Sequence, residues 1–243
     1  MKMHNTKMFL RAALLLAVAV TVGKLAQAQS CNVDWTGNAG DGQWSTASNW
    51  STHRVPGTTS DVCILTANGT SGSVDAIATP SIAVHSIQLG QGVGLAFGSE
   101  TVSIATSLTS QGFLTLFGTT LSATSVDMQS GSLVGGGTIE GSLTNNAYLH
   151  PTNAETLTVT GNYTQTASGE LSVQWGTTAL VVNSNATLSG SLVVGINPKR
   201  PPAKGSTYTA MRFGTLSGEF TSVTVEEGGT VQYTNNSVVV TFQ

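Results

Sequence analysis

The chain has 243 residues, with nine Lys and Arg against twelve Asp and Glu, and only 6% aromatic residues. A nucleic-acid ligand needs clustered cations to displace counterions from its phosphates. So sparse a basic content argues against that class and against polyanions in general.

The first 28 residues read as an export signal. Lys2, Lys7 and Arg11 precede an apolar run, Ala12 to Val22, and Ala26-Gln27-Ala28 is an A-x-A cleavage site. The competing reading is an uncleaved anchor, but the run is too short for a hydrocarbon layer of roughly 30 Å. No later segment has the apolar length of a transmembrane helix. Cleavage removes four cations (Lys2, Lys7, Arg11, Lys24) and no acid, so the mature chain carries 5 basic and 12 acidic residues, a net charge of −7. The expected location is extracellular, cell-surface or periplasmic.

Residues 29–78 form the next segment. Cys31 and Cys63 are its only cysteines, and an isolated pair in an exported chain is expected to form a disulfide. A structural zinc site recruits four ligands, so two isolated thiols suit metal poorly. The same segment holds Trp35, Trp44 and Trp50. They read in two ways: as a plug over the open end of a stacked fold, or as an exposed platform for sugar rings.

Residues 79–196 are read as stacked rungs. From Val55 to Pro198 there is no Lys or Arg, and a motif [GA]-x-Leu-x-apolar recurs. It appears as Gly112-Phe-Leu-Thr-Leu116, Gly131-Ser-Leu-Val-Gly135, Ala147-Tyr-Leu-His-Pro151, Gly169-Glu-Leu-Ser-Val173 and Gly190-Ser-Leu-Val-Val194, at spacings of 19, 16, 22 and 21 residues. Helical periodicity is absent after the signal. Period-two alternation replaces it at Leu157/Val159, Leu171/Val173/Trp175 and Val238/Val240/Phe242. Short strands with regular turns also suit a sandwich or barrel. The recurring motif and the scarcity of aromatics favour a solenoid, in which each rung adds a few side chains to a continuous core.

Residues 197–243 open with Asn197-Pro-Lys-Arg-Pro-Pro-Ala-Lys-Gly205, which holds Lys199, Arg200 and Lys204, three of the five mature cations. Prolines suppress ladder pairing, so this reads as an exposed loop. It is either a solvated guard against edge pairing or a contact for an acidic partner. Capping strands follow it.

The residues supply no recognisable catalytic, metal or cofactor constellation. Asp34, Asp41, Asp61 and Asp75 cluster in the N-terminal third, but a glycosidase needs two carboxylates across one bond, and sequence places no two together. Glu100, Asp127, Glu140, Glu155 and Glu170 are scattered through the basic-free region. His53, His85 and His150 lack metal-ligand spacing, and no G-x-S-x-G elbow occurs.

The run Trp35-x(8)-Trp44-x(4)-Asn49-Trp50, followed by Val55-Pro-Gly57 and Asp61-Val-Cys-Ile64, resembles the N-terminal part of exported bacterial β-helix proteins. Gly135-Gly-Gly-Thr-Ile139, Leu143-Thr-Asn-Asn146, Leu157-Thr-Val-Thr-Gly-Asn-Tyr-Thr-Gln165 and Gly169-Glu-Leu171 are similar to autotransporter passenger segments. The chain departs from them at His150-Pro-Thr-Asn153. A translocator barrel is not expected in this chain, since even eight strands of about ten residues need roughly 80 residues. The resemblance implies an all-β, right-handed parallel β-helix with a Trp-rich N-terminal cap, lacking its own translocator. The expected function is a non-catalytic structural or adhesin-like surface module. Its partners would be cell-surface glycan, matrix or other copies of itself. The alternatives are a carbohydrate-binding or carbohydrate-active β-helix, and a passenger fragment of a larger surface assembly.

Overall fold

The structure is a computed structural model that describes residues 30–243 apart from 66–72, 77, 78, 80, 99, 153, 154 and 177. The expected signal, residues 1–28, lies outside the described residues. Strand alternation dominates from the start. In Phe113–Met128, for example, Leu114, Leu116, Leu121, Ala123, Val126 and Met128 are buried, with more exposed positions between them. The described residues contain twenty strands and one three-residue 3-10 turn, Ala47–Asn49. The strands wind into a parallel β-solenoid of about six turns.

Each turn visits three faces. The first face stacks strands from Val33–Asp34 through Asp61–Ile64 and Ser86–Leu89, in parallel register. The third begins at Ser81–Val84, where Ile82 aligns with Val102, Leu121 and Ile139 in successive rungs. The second face holds the repeated motif. Val74, Leu95, Leu114, Leu133, Leu149, Leu171, Leu192 and Val223 occupy one register position in eight successive strands. The motif leucines thus form one inward column, and all five are buried. Summed over rungs, such columns supply the apolar burial that drives folding.

The motif glycines turn the corner into this face. Gly131 has φ +76°, and a Cβ there would lie 2.0 Å from the Gly112 carbonyl oxygen. Rung lies on rung so closely that only a residue without Cβ fits. The imperfect copy ending in Gly135 has the same cause. Gly135 aligns with Leu116, at φ +103°, and its Cβ would sit 1.9 Å from the Leu116 oxygen.

The two ends are built differently. At the N-terminal end, Trp44 N donates to Asp75 O at 2.9 Å and Asp75 N donates to Gly42 O at 2.8 Å. Segment 42–44 therefore lies along Ser73–Asp75, the first strand of the second face. At the other end, Ser237–Phe242 pairs antiparallel with residues 207–212 and with Gly229–Tyr233. This reversal ends the parallel stacking on the third face. Val223, at the end of the leucine column, pairs with no further strand among the described residues and is 39% exposed.

Cys31 and Cys63 form the expected disulfide, with Cα atoms 5.7 Å apart. It joins the segment before the first strand to the second strand of the same face. No helix among the described residues is long and apolar enough to cross a membrane.

Candidate functional site

The tryptophan segment is held from within. Asp41 sits in a turn between Gly40 and Gly42, both at positive φ. Its Oδ1 accepts from Gln43 N at 3.0 Å and from Asn49 Nδ2 at 2.6 Å, and its Oδ2 accepts from Thr46 Oγ1 at 2.7 Å. These donors, Thr46 first, then Gln43 and Asn49, hold the Asp41 carboxyl below its ordinary range. Asn49 is fully buried, and its Oδ1 accepts from Ala39 N at 2.8 Å. The neighbouring Trp50 donates its Nε1 to Trp44 O at 2.8 Å. Trp35 and Trp44 each meet Trp50 edge to face, at 4.8 and 4.7 Å between ring centres.

That geometry bears on the platform reading of these rings. Trp44 and Trp50 are 1% and 0% exposed, and Trp35 is half-buried against the core. A platform needs a free ring face, and the two buried rings have none. The T-shaped packing and the Asp41–Asn49 bonds account for their burial.

Among the acids, Asp61 is brought to a histidine and a serine. Its Oδ1 lies 2.7 Å from His85 Nδ1 and also accepts from Ser86 Oγ. Nucleophile activation needs the serine hydroxyl on the histidine base. Here both groups bond the carboxylate instead, and Ser86 is buried. The cluster ties neighbouring strands of the first face together and has no geometry for acyl transfer. Cys31, Asp34 and Cys63 bring three donor atoms within 4.8 Å, but both sulfurs are in the disulfide and offer no thiolate to a metal.

Lys199, Arg200 and Lys204 lie on an exposed turn. Asn197 shapes it, accepting from Arg200 N through its carbonyl at 2.8 Å and from Lys199 N through Oδ1 at 2.9 Å. None of the three cations has an ion-pair partner among the described residues.

The sequence reading did not single out the outward side of the second face. Because the motif leucine points inward, the preceding residue points out. In two copies that residue is aromatic, Phe113 and Tyr148, where the other copies have Ser132, Glu170 and Ser191. Register places Gly94, Phe113, Ser132, Tyr148, Glu170 and Ser191 in one outward column. Phe113 is 51% exposed, Phe117 on the same strand 50%, and Tyr148 37%. Tyr148 stacks on His150, with ring centres 5.7 Å apart and planes 25° apart. The His150 Nδ1 lies 3.0 Å from Ser172 O in the next rung. Signal for this site was present in the [GA]-x-Leu motif itself, in the aromatic identity of x.

Compared with protein-family models, with curated proteins and with solved structures, the chain gives no match.

Proposed function

We propose that the chain is an exported, non-catalytic adhesive module of the autotransporter-passenger kind, delivered by its N-terminal signal and acting outside the cytoplasm. The carrying observation is the parallel register of the second face. It repeats outward positions in straight columns, so a partner running along the solenoid meets exposed rings at Phe113 and Tyr148 and hydroxyls at Ser132 and Ser191. Multivalent contact on a rigid face builds avidity without a deep pocket. The disulfide fits an oxidising compartment. The Trp35–Trp44–Trp50 cluster serves as the N-terminal cap in this reading, since it packs beside the first strand of the second face.

The test is direct. Residues 29–243, purified and labelled, are offered to whole cells, extracellular matrix and polysaccharide particles, and are sedimented alone. Saturable binding to one of these surfaces, or self-association, is expected. A protein that adheres to none of them and stays monomeric is not an adhesive module.

A second reading, a carbohydrate-binding β-helix, draws on a specific observation. Three of the exposed large apolar side chains, Phe113, Phe117 and Tyr148, are aromatic and lie on one face.

A further inference from the structure

We infer that the outward column of the second face around Phe113 and Tyr148 binds a neutral, extended pyranose chain running parallel to the solenoid axis. The inference rests on the adhesive reading and gives its partner a chemistry.

The first support is spacing. Phe113 and Tyr148 occupy the same register position with one strand between them. Two strand spacings of about 4.8 Å separate them by roughly 10 Å. In an extended β-linked pyranose chain every second ring presents the same face in the same orientation. A chain lying along the column sets one sugar on Phe113 and the next but one on Tyr148. The sugar between them meets the Ser132 hydroxyl.

The second support is rigidity. His150 donates its Nδ1 proton to the Ser172 carbonyl, which can only accept. That bond fixes the imidazole, and its plane backs Tyr148. Phe113 aligns with Gly94 and Phe117 with Gly136 in the neighbouring strands. Both of these rings stand half exposed, whereas the His150 ring is held by its bond to the Ser172 carbonyl. Groups already ordered lose little entropy on binding.

The third support is charge. Val55 to Pro198 contains no Lys or Arg, so the strands of this face from Ser73–Asp75 to Ser191–Gly195 offer neither residue to a uronate, sulfate or phosphate. The charged residue in the column, Glu170, follows Tyr148 in the next rung and is an acceptor. It repels anionic polymers and suits sugar hydroxyls.

The experiment titrates cellohexaose, chitohexaose and polygalacturonate into residues 29–243 by calorimetry. The wild type, Phe113→Ala, Tyr148→Ala and a distant surface control, Val55→Ala, are compared, with circular dichroism melts to establish that each is folded. The expected result is binding of at least one neutral hexasaccharide and none of polygalacturonate. Each aromatic truncation should weaken binding about tenfold or more, as for an aromatic anchor, and the control should not. The inference is overturned if neither hexasaccharide binds, or if folded Phe113→Ala and Tyr148→Ala bind as well as wild type. It is also overturned if the wild type sediments as a dimer that Phe113→Ala dissociates, because the patch then belongs to a second copy. Cell or matrix adhesion that persists in both variants would leave the adhesive reading standing and remove this site alone.

Discussion

Asn49, a side chain with no solvent exposure, donates Nδ2 to the Asp41 carboxylate at 2.6 Å and to the Gln43 carbonyl at 3.0 Å. The pair joins a turn to the tryptophan that follows it, so local hydrogen bonding and aromatic packing stand or fall together. Asn49→Ala leaves the Asp41 and Gln43 acceptors and the Ala39 N–H without this partner. Lost partners of this type cost about 1–3 kcal/mol. Tryptophan fluorescence during urea unfolding should show a lower midpoint.

Acid should act on the same turn. The donors from Thr46, Gln43 and Asn49 lower the folded-state pKa of Asp41 below its ordinary value of 3.8. A lowered carboxyl stabilises the fold above the unfolded value, and that contribution is lost as pH falls through the folded one. Asp41→Asn should therefore melt below wild type at neutral pH, and the gap in Tm should close as pH drops below 3.8. A gap that stays constant with pH would remove the charge from this account.

The disulfide closes a separation of 32 residues. The chain-entropy relation gives roughly 3–4 kcal/mol for a loop of this size. Cys31→Ser with Cys63→Ser should lose about that much in urea titrations, and reductant should destabilise the wild type but not the double variant.

Leu171 lies mid-column and is fully buried. Leu171→Ala should cost about 2–5 kcal/mol, the range for a cavity in a packed core. Gly190→Ala should also destabilise, by strain instead of a void. Gly190 has φ +64°, and a Cβ would lie 2.2 Å from the Gly169 oxygen. Thermal melts of the two variants measure both effects.

Tyr163 is buried in the interior and donates its hydroxyl to Gln165 Oε1 at 2.7 Å. Burial pushes its ionisation well above the ordinary tyrosine value of 10.0. A raised pKa in an acid that folds neutral gives stability that is full below the unfolded value and falls as pH rises beyond it. Tyr163→Phe should be less stable at neutral pH, because Gln165 loses a donor, and should lose less stability in alkali. Denaturant titrations at neutral and alkaline pH test both signs.

The solenoid was legible because its rungs share one grammar. Leu114, Leu133, Leu149, Leu171 and Leu192 recur with a small corner residue two places before, and all fall in one column. Other rungs of that column escaped notice for a physical reason. Leu95 is preceded at the corner by Val93 instead of Gly, and Val223 replaces leucine where the stack ends. Spacing also drifts because corners absorb insertions. Between Leu192 and Val223, which are register neighbours, lies the Pro/Lys loop.

The aromatic face shows the division most clearly. By itself the sequence determined the strand alternation, the inward leucine, the corner glycine and the disulfide pair. These depend on period-two geometry and on the missing glycine Cβ, which act within a few residues, and on the presence of only two cysteines. Only the tertiary structure decided that Trp44 and Trp50 are buried while Phe113 and Tyr148 are open. Exposure depends on which strand lies next, and rung length sets that at sequence separations of 16 to 31 residues.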